Sequence, residues 1–275
     1  IADQTNWLAL NAAIEAARKS FEIKLEAARQ EAAKEAEAAA ETFPPANDDH
    51  PYLIDKGIKP YGAQMRGASL LLPLRDIDGN VTTHQTISPE GQKRFLKDGA
   101  KKGSFFQIGE IKDTINIVEG FATGATAHEA TGEGVIVAFD TSNLMPVVKA
   151  LRDRYSNPIR ILADNDQWTE GNPGVTTAQK VVDEVADVSF LVPSFKDVTT
   201  EPTDWNALSS LEGLPIVREQ LAHSSEPKEL CLLDWRVGEA YQGKAPEADY
   251  LIENSLQVSM PALFAGMGEI GKSFL

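Results

Sequence analysis

Hydrophobic residues recur along this chain as short β-branched runs separated by longer stretches of helical pattern. Four runs have the length and branching of buried parallel strands: Ile115-Asn116-Ile117-Val118, Val135-Ile136-Val137-Ala138-Phe139, Ile159-Arg160-Ile161-Leu162-Ala163 and Val188-Ser189-Phe190-Leu191-Val192. Between them the pattern predicts helices over about 121–131, 144–155 and 173–186, the second with Asn143 as its N-cap. Strict alternation of strand and helix implies an α/β fold with a mainly parallel, doubly wound sheet of four strands.

The flanking segments read differently. Residues 6–42 are rich in Ala and Glu, with charges at helical spacing such as Glu22/Glu26 and Glu31/Lys34, and predict one long helix stopped by Pro44-Pro45. Residues 51–112 predict a small β-rich subdomain. In it, a Ser69–Leu74 strand meets an Asp76-Ile77-Asp78-Gly79-Asn80 turn and a Val81–Ile87 return strand, with further short strands over 93–96 and 104–109. Residues 194–210 read as a loop containing Asp197 and Asp204-Trp205-Asn206, followed by a short helix over about 212–223. The expected organisation is an N-terminal helix (1–45), a basic β-rich subdomain (46–112), the α/β domain (113–223), a polar linker (224–248) and the start of a further domain (249–275).

The 275 residues are 42% hydrophobic, which supports a genuine core. No apolar stretch reaches the roughly 18 residues of a membrane span, and no secretory signal is present. The single cysteine, Cys231, excludes a disulfide framework and a cysteine-rich zinc site within these residues, and a reducing cytoplasm is the expected setting. The first residue is Ile1, and Gly271-Lys272-Ser273-Phe274-Leu275 reads as the opening of a helix that is cut off, so a fragment of a longer protein is expected.

A net charge of −15 argues at first against a nucleic-acid partner, but the charge is unevenly spread. Residues 51–113 carry 10 basic and 7 acidic side chains, whereas residues 114–210 carry 6 and 14. Arg66, Arg75, Lys93, Arg94, Lys97, Lys101 and Lys102 belong to the basic block. A basic platform directly before an acidic block suits an enzyme that holds a polyanion and does chemistry on it.

The candidate chemistry lies at the strand ends. Glu119 follows the first parallel strand, and Asp164 and Asp166 follow the third. Acids at the carboxyl ends of adjacent parallel strands converge in the crevice where open α/β sheets bind ligands. Three acids packed together repel one another unless a divalent cation neutralises them, with Mg²⁺ (or Mn²⁺) favoured by oxygen ligands and phosphates. Metal-assisted phosphoryl transfer is the reaction class that follows. In that reading Arg66, Lys93, Arg94, Lys101 and Lys102 hold the nucleic acid or nucleotide, while His84 and His128 are structural. A second motif, Gly266-Met267-Gly268-Glu269-Ile270-Gly271-Lys272-Ser273, satisfies G-x-x-x-x-G-K-[ST] after the strand candidate Ala262–Ala265. Its Gly266, Gly271, Lys272 and Ser273 are expected to bind ATP in the parent protein.

Ile117-Val118-Glu119-Gly120, Ala163-Asp164-Asn165-Asp166 and the Gly174-Val175-Thr176-Thr177-Ala178 helix start resemble the Toprim domain of DnaG-type primases, topoisomerases and some nucleases. The likeness to primase-type Toprim proteins of phages and plasmids extends over roughly residues 50–220. It takes in His50-Pro51-Tyr52-Leu53, Lys56-Gly57, the Leu-Leu-Leu-Pro-Leu strand, Asp78-Gly79, Gln92-Lys93-Arg94-Phe95-Leu96, Asn143-Leu144 and Asp204-Trp205-Asn206. The resemblance implies Glu119 as general base or metal-proximal acid, Asp164 and Asp166 as holders of Mg²⁺, and Asp204 as an additional ligand. The family pattern carries a further acid where this chain has Ala207. The activity implied is primer synthesis on single-stranded DNA from ribonucleoside triphosphates, beside a RecA-like helicase or ATPase domain and without a membrane. The alternatives are Toprim-type DNA cleavage, as in a nuclease or topoisomerase, and a non-catalytic DNA-binding module.

Overall fold

The computed structural model describes residues 2–223, 250–252 and 256–257, in one compact unit over 1–225 and a second over 226–275. In the second unit the described residues are two short antiparallel strands, Tyr250–Ile252 and Leu256–Gln257. The P-loop motif and the expected linker lie outside the described residues.

In the first unit, α1 (Ala2–Thr42) is one helix, as its Ala- and Glu-rich composition dictates. Ala32, Ala36 and Ala39 are buried, and their small side chains let the helix lie close on the sheet behind it. That sheet is antiparallel, ordered β1 (Gln64–Arg66), β2 (Ser69–Arg75), β3 (Val81–Ile87), β4 (Lys93–Phe95). The turn between β2 and β3 is built on Asp76, whose Oδ1 accepts the N–H groups of Asp78 and Asn80. Before the sheet, α2 (Pro51–Lys56) is capped by His50, whose Nδ1 accepts the Tyr52 N–H. The helix closes at Gly57, where φ is 62° and a side chain would be strained.

The second sheet runs in the order β5 (Phe106–Ile108), β7 (Val135–Val137), β6 (Ile115–Val118), β8 (Ile159–Leu162), β9 (Val188–Leu191). The four strands expected from the hydrophobic runs are mutually parallel. β5 joins them antiparallel to β7, with Ile108 opposite Val135. The sequence pattern groups residues 104–109 with the upstream strands, yet the backbone reaches back at Phe105, which exchanges both hydrogen bonds with Arg75 at 2.8 and 2.9 Å, while the Ser104 hydroxyl accepts from Thr82 at 2.8 Å.

Helices cover both faces of this sheet. Ile115, Ile117, Ile136, Ile159 and Ile161 pack with Val147, Val148 and Leu151 of α4 (Thr141–Arg154) and Ala178 and Val181 of α5 (Pro173–Glu184). Val118, Val135, Val137 and Leu162 pack with α3 (Phe121–Thr131), α6 (Trp205–Glu212) and α7 (Leu214–His223). Two local expectations are corrected. Asp140, rather than Asn143, caps α4, accepting the Asn143 N–H at 3.0 Å, because the helix starts three residues earlier than its apolar period suggests. Residues 205–212 are helical rather than loop, because Asp204 caps them and Trp205 and Leu208 are buried.

Asn206 ties this helix in. Its buried Nδ2 donates to the Lys56 carbonyl at 2.8 Å and to Thr126 Oγ1 at 2.9 Å, joining α6 to the end of α2 and to α3. Asn206→Ala strands both acceptors and is expected to cost about 1–3 kcal/mol, read as a lower urea midpoint at unchanged slope.

Candidate active site

The chain passes from β6 to β7 on one side and then crosses to β8 on the other, so β6 and β8 flank the topological switch point. That is where an open α/β sheet leaves a crevice at its carboxyl edge. Glu119 stands one residue past β6, and Asp164 lies two residues past β8. Glu119 Oε1 and Asp164 Oδ1 are buried, and neither has a hydrogen-bond partner. Burial, then the charges of Asp166 and Asp140, push the Glu119 carboxyl up to about 7. Burial, then Glu119, Asp204 and Asp166, push Asp164 up to about 8, against a smaller downward pull from Lys93. Two carboxylates that resist ionisation beside one another form an electrostatic sink for a cation.

Asp166 is held differently. Its Oδ2 accepts the Gly174 N–H at 3.1 Å, at the N-terminus of α5. Gly174 is required there, since a Cβ would lie 2.3 Å from the Asp164 carbonyl oxygen. Asp204 has a local task, for its Oδ1 caps α6 on the Ala207 N–H at 2.6 Å, while its charge still reaches Asp164 and Lys93. Ala207, directly after Asn206, supplies the capped amide.

The basic candidates separate into two groups. Lys93 sits on the exposed strand β4, yet enough protein crowds its ammonium to lower its pKa, an effect opposed by Asp204 and Asp164 and reinforced by Lys56. Lys101 forms an ion pair with Asp140 at the carboxyl end of β7. Arg94 and Lys102 are exposed, Arg94 bonding Gln92 at 3.4 Å. Arg66 faces elsewhere: its guanidinium meets His84 Nε2 at 2.9 Å, Glu35 at 3.7 Å and the Phe43 ring, tying β1 to β3 and α1. His128 is likewise structural, with Nδ1 on the Glu133 carbonyl at 2.6 Å and its ring edge-on to Tyr61.

Asp140 is the residue of this region that sequence reasoning passed over. The signal was present: an Asp shortly after a strand and just ahead of a helical apolar pattern is an N-cap candidate. Asn143 is buried and uses its side chain, accepting the Gly103 N–H at 2.7 Å and donating to the Ser104 and Ala138 carbonyls at 2.9 Å.

Among the described residues no three His, Cys, Asp or Glu side chains are gathered into a formed metal cage. The donor set nevertheless fits a hard divalent cation. It consists of carboxylate oxygens, two of them buried without partners on carboxyls raised by burial and then by neighbouring acids.

Residues 114–214 match the family model described as a Toprim domain. The chain is 34% identical over 202 residues to a DNA primase TraC of Escherichia coli, an alignment covering 64% of this chain and 19% of that protein. A second Escherichia coli DNA primase TraC is 33% identical over 178 residues, covering 60% and 12%. The chain thus spans about a fifth or less of the curated relatives' length. In fold it is similar to the catalytic domain of a DnaG primase bound to single-stranded DNA, with TM-score 0.50, 10% identity, and 72% and 80% of the two chains covered. It is also similar to the zinc-binding and RNA polymerase domains of the Aquifex aeolicus primase, with TM-score 0.51, 12% identity, and 68% and 59% covered. The fold class is therefore α/β of the Toprim and DnaG primase type.

Proposed function

We propose that this chain is the catalytic core of a DNA primase, which joins ribonucleotides on a single-stranded DNA template with a divalent cation. The observation that carries the reading is the pair of buried, unpartnered oxygens of Glu119 and Asp164 at the switch point of a Toprim sheet. A bound Mg²⁺ or Mn²⁺ would neutralise charge on the reacting phosphates. Asp164 and Asp166 would hold it, with Asp204 contributing its uncapped oxygen. Glu119, reluctant to ionise among its neighbouring acids, is suited to take the proton of the attacking 3′-hydroxyl once their charge is neutralised. Lys93 and Lys101 face nucleotide phosphates, and Arg94 and Lys102 the polynucleotide backbone.

Incubation with single-stranded DNA circles, labelled ribonucleotides and Mg²⁺ is expected to yield short RNA products, and excess chelator to abolish them. Absence of products together with nicking of supercoiled plasmid would overturn the reading in favour of DNA cleavage. We also read residues 266–273 as the P-loop of an ATP-binding, helicase-type domain in a longer cytoplasmic replication protein, with 224–248 as the linker. A Lys272→Ala variant of the longer protein should then lose ATP hydrolysis and keep primer synthesis.

A further inference from the structure

Lys101 and Asp140 lie 39 residues apart in sequence and pair across the rim of the crevice. Both are about one-third exposed, at 31% and 33%. The acid is fixed from one side. Asp140 Oδ1 accepts the Asn143 N–H at 3.0 Å and the Ser142 hydroxyl at 2.6 Å, leaving Oδ2 turned to Lys101. The lysine is fixed from behind. Its ammonium lies 5.3 Å from the Phe95 ring centroid, and Phe95 packs edge-on to Phe139 at 5.7 Å. Phe139 holds this place at φ 74°, a conformation bulky residues rarely adopt. The loop behind Lys101 is clamped through Gly103 and Ser104 by the Asn143 side chain.

This assembly borders the acids on both sides. β7 pairs with β6 through Val137 and Val118, which sets Asp140 beside Glu119 at the same sheet edge. On β4, Lys93 and Phe95 are two residues apart and share a face, so the wall behind Lys101 continues to the lysine that feels Asp204 and Asp164. An ion pair one-third exposed to solvent contributes little to stability, about 0–1 kcal/mol. So much anchoring, including a strained backbone, is better explained by the need to aim a charge.

We propose that Asp140 is a positioning residue, which holds Lys101 so that its ammonium meets the triphosphate of the incoming nucleotide at the rim of the Glu119–Asp164 crevice. An ammonium has three N–H donors. Asp140 takes one and orients the group, and the others remain for phosphate oxygens. The inference rests on the primase reading.

The test compares Asp140→Asn, Lys101→Ala and the double variant in primer synthesis at varied ATP concentration. Asn caps a helix as well as Asp, so Asp140→Asn should melt within about 3 °C of the parent. The KM for ATP should rise about tenfold in each single variant while kcat falls no more than about threefold, and the double variant should be no worse than Lys101→Ala alone. Asp140→Glu should recover part of the loss. A KM that falls or stays within twofold in Asp140→Asn, in a parent that makes primers, sinks the positioning role and leaves the primase reading standing. Additive effects in the double variant also sink it. A parent that makes no primer overturns both.

Discussion

Glu119→Gln and Asp164→Asn are each expected to reduce primer synthesis by about 10²–10³-fold while making the cation-free protein harder to unfold at pH 8. The two effects have one cause. In the folded chain both carboxyls are raised, to about 7 and about 8, chiefly by burial and then by neighbouring acids. The folded state therefore keeps protons that the unfolded chain releases near pH 4. Their contribution to stability is fully present below about pH 4 and is lost as pH climbs through 7 and 8. Without divalent cation, the melting temperature of the parent should fall over that range, and either amide should flatten the fall. Adding Mg²⁺ at pH 8 should raise the parent's melting temperature and leave that of Asp164→Asn nearly unmoved. Parallel melting curves for parent and variants between pH 5 and 8 would rule out the electrostatic account.

Gly174→Ala should be nearly as damaging, through sterics alone. A Cβ at this position meets the Asp164 carbonyl oxygen at 2.3 Å and its carbon at 3.1 Å, and backbone atoms cannot swing aside as a side-chain end can. The start of α5 has to move, which carries the Gly174 N–H away from Asp166. A cost of about 2–3 kcal/mol is expected from overpacking. Primer synthesis should fall about a hundredfold, because misplacement by an ångström at a reacting centre has that effect. Gly171→Ala separates sterics from backbone preference. Gly171 has φ 78°, and a methyl added there meets nothing within 4 Å, so the substitution costs about 1 kcal/mol and leaves Asp166 anchored. Equal losses in the two variants, by denaturant melts and primer yield, would refute the close-approach argument.

The parallel sheet was legible because its inner strands β6, β7 and β8 are largely buried on both faces and so read as short, mostly apolar runs. Val135-Ile136-Val137 is fully buried, and its position in the chain follows directly from the pattern. Helix α3 was equally plain, bounded by Gly120 and Gly132. The candidate acids were legible because strand ends are local features. What escaped was set by partners distant in sequence or by competing uses of one residue. The pairing of β5 with β7 depends on which edge is free. Helix α6 was hidden because Asp204 was read for its charge, although its oxygen also caps the chain. Arg66 was one of several equivalent basic residues until folding set it against Glu35, His84 and Phe43. Lys93 could not be tied to Asp164 and Asp204 from sequence, because that proximity arises between two sheets.

The stretch Phe105–Ile108 belongs to both sheets at once, bridging to Arg75 at its first residue and laddering with β7 over the rest. It works as a splice in the frame. For the lysine-bearing sheet to drift relative to the carboxylates, backbone hydrogen bonds in this splice would have to shear. The gap between the lysine of β4 and the carboxylates at the sheet edge is thus held by main chain, and under the proposed primase reading surface lysines can be exchanged to retune affinity without resetting the reach of the site.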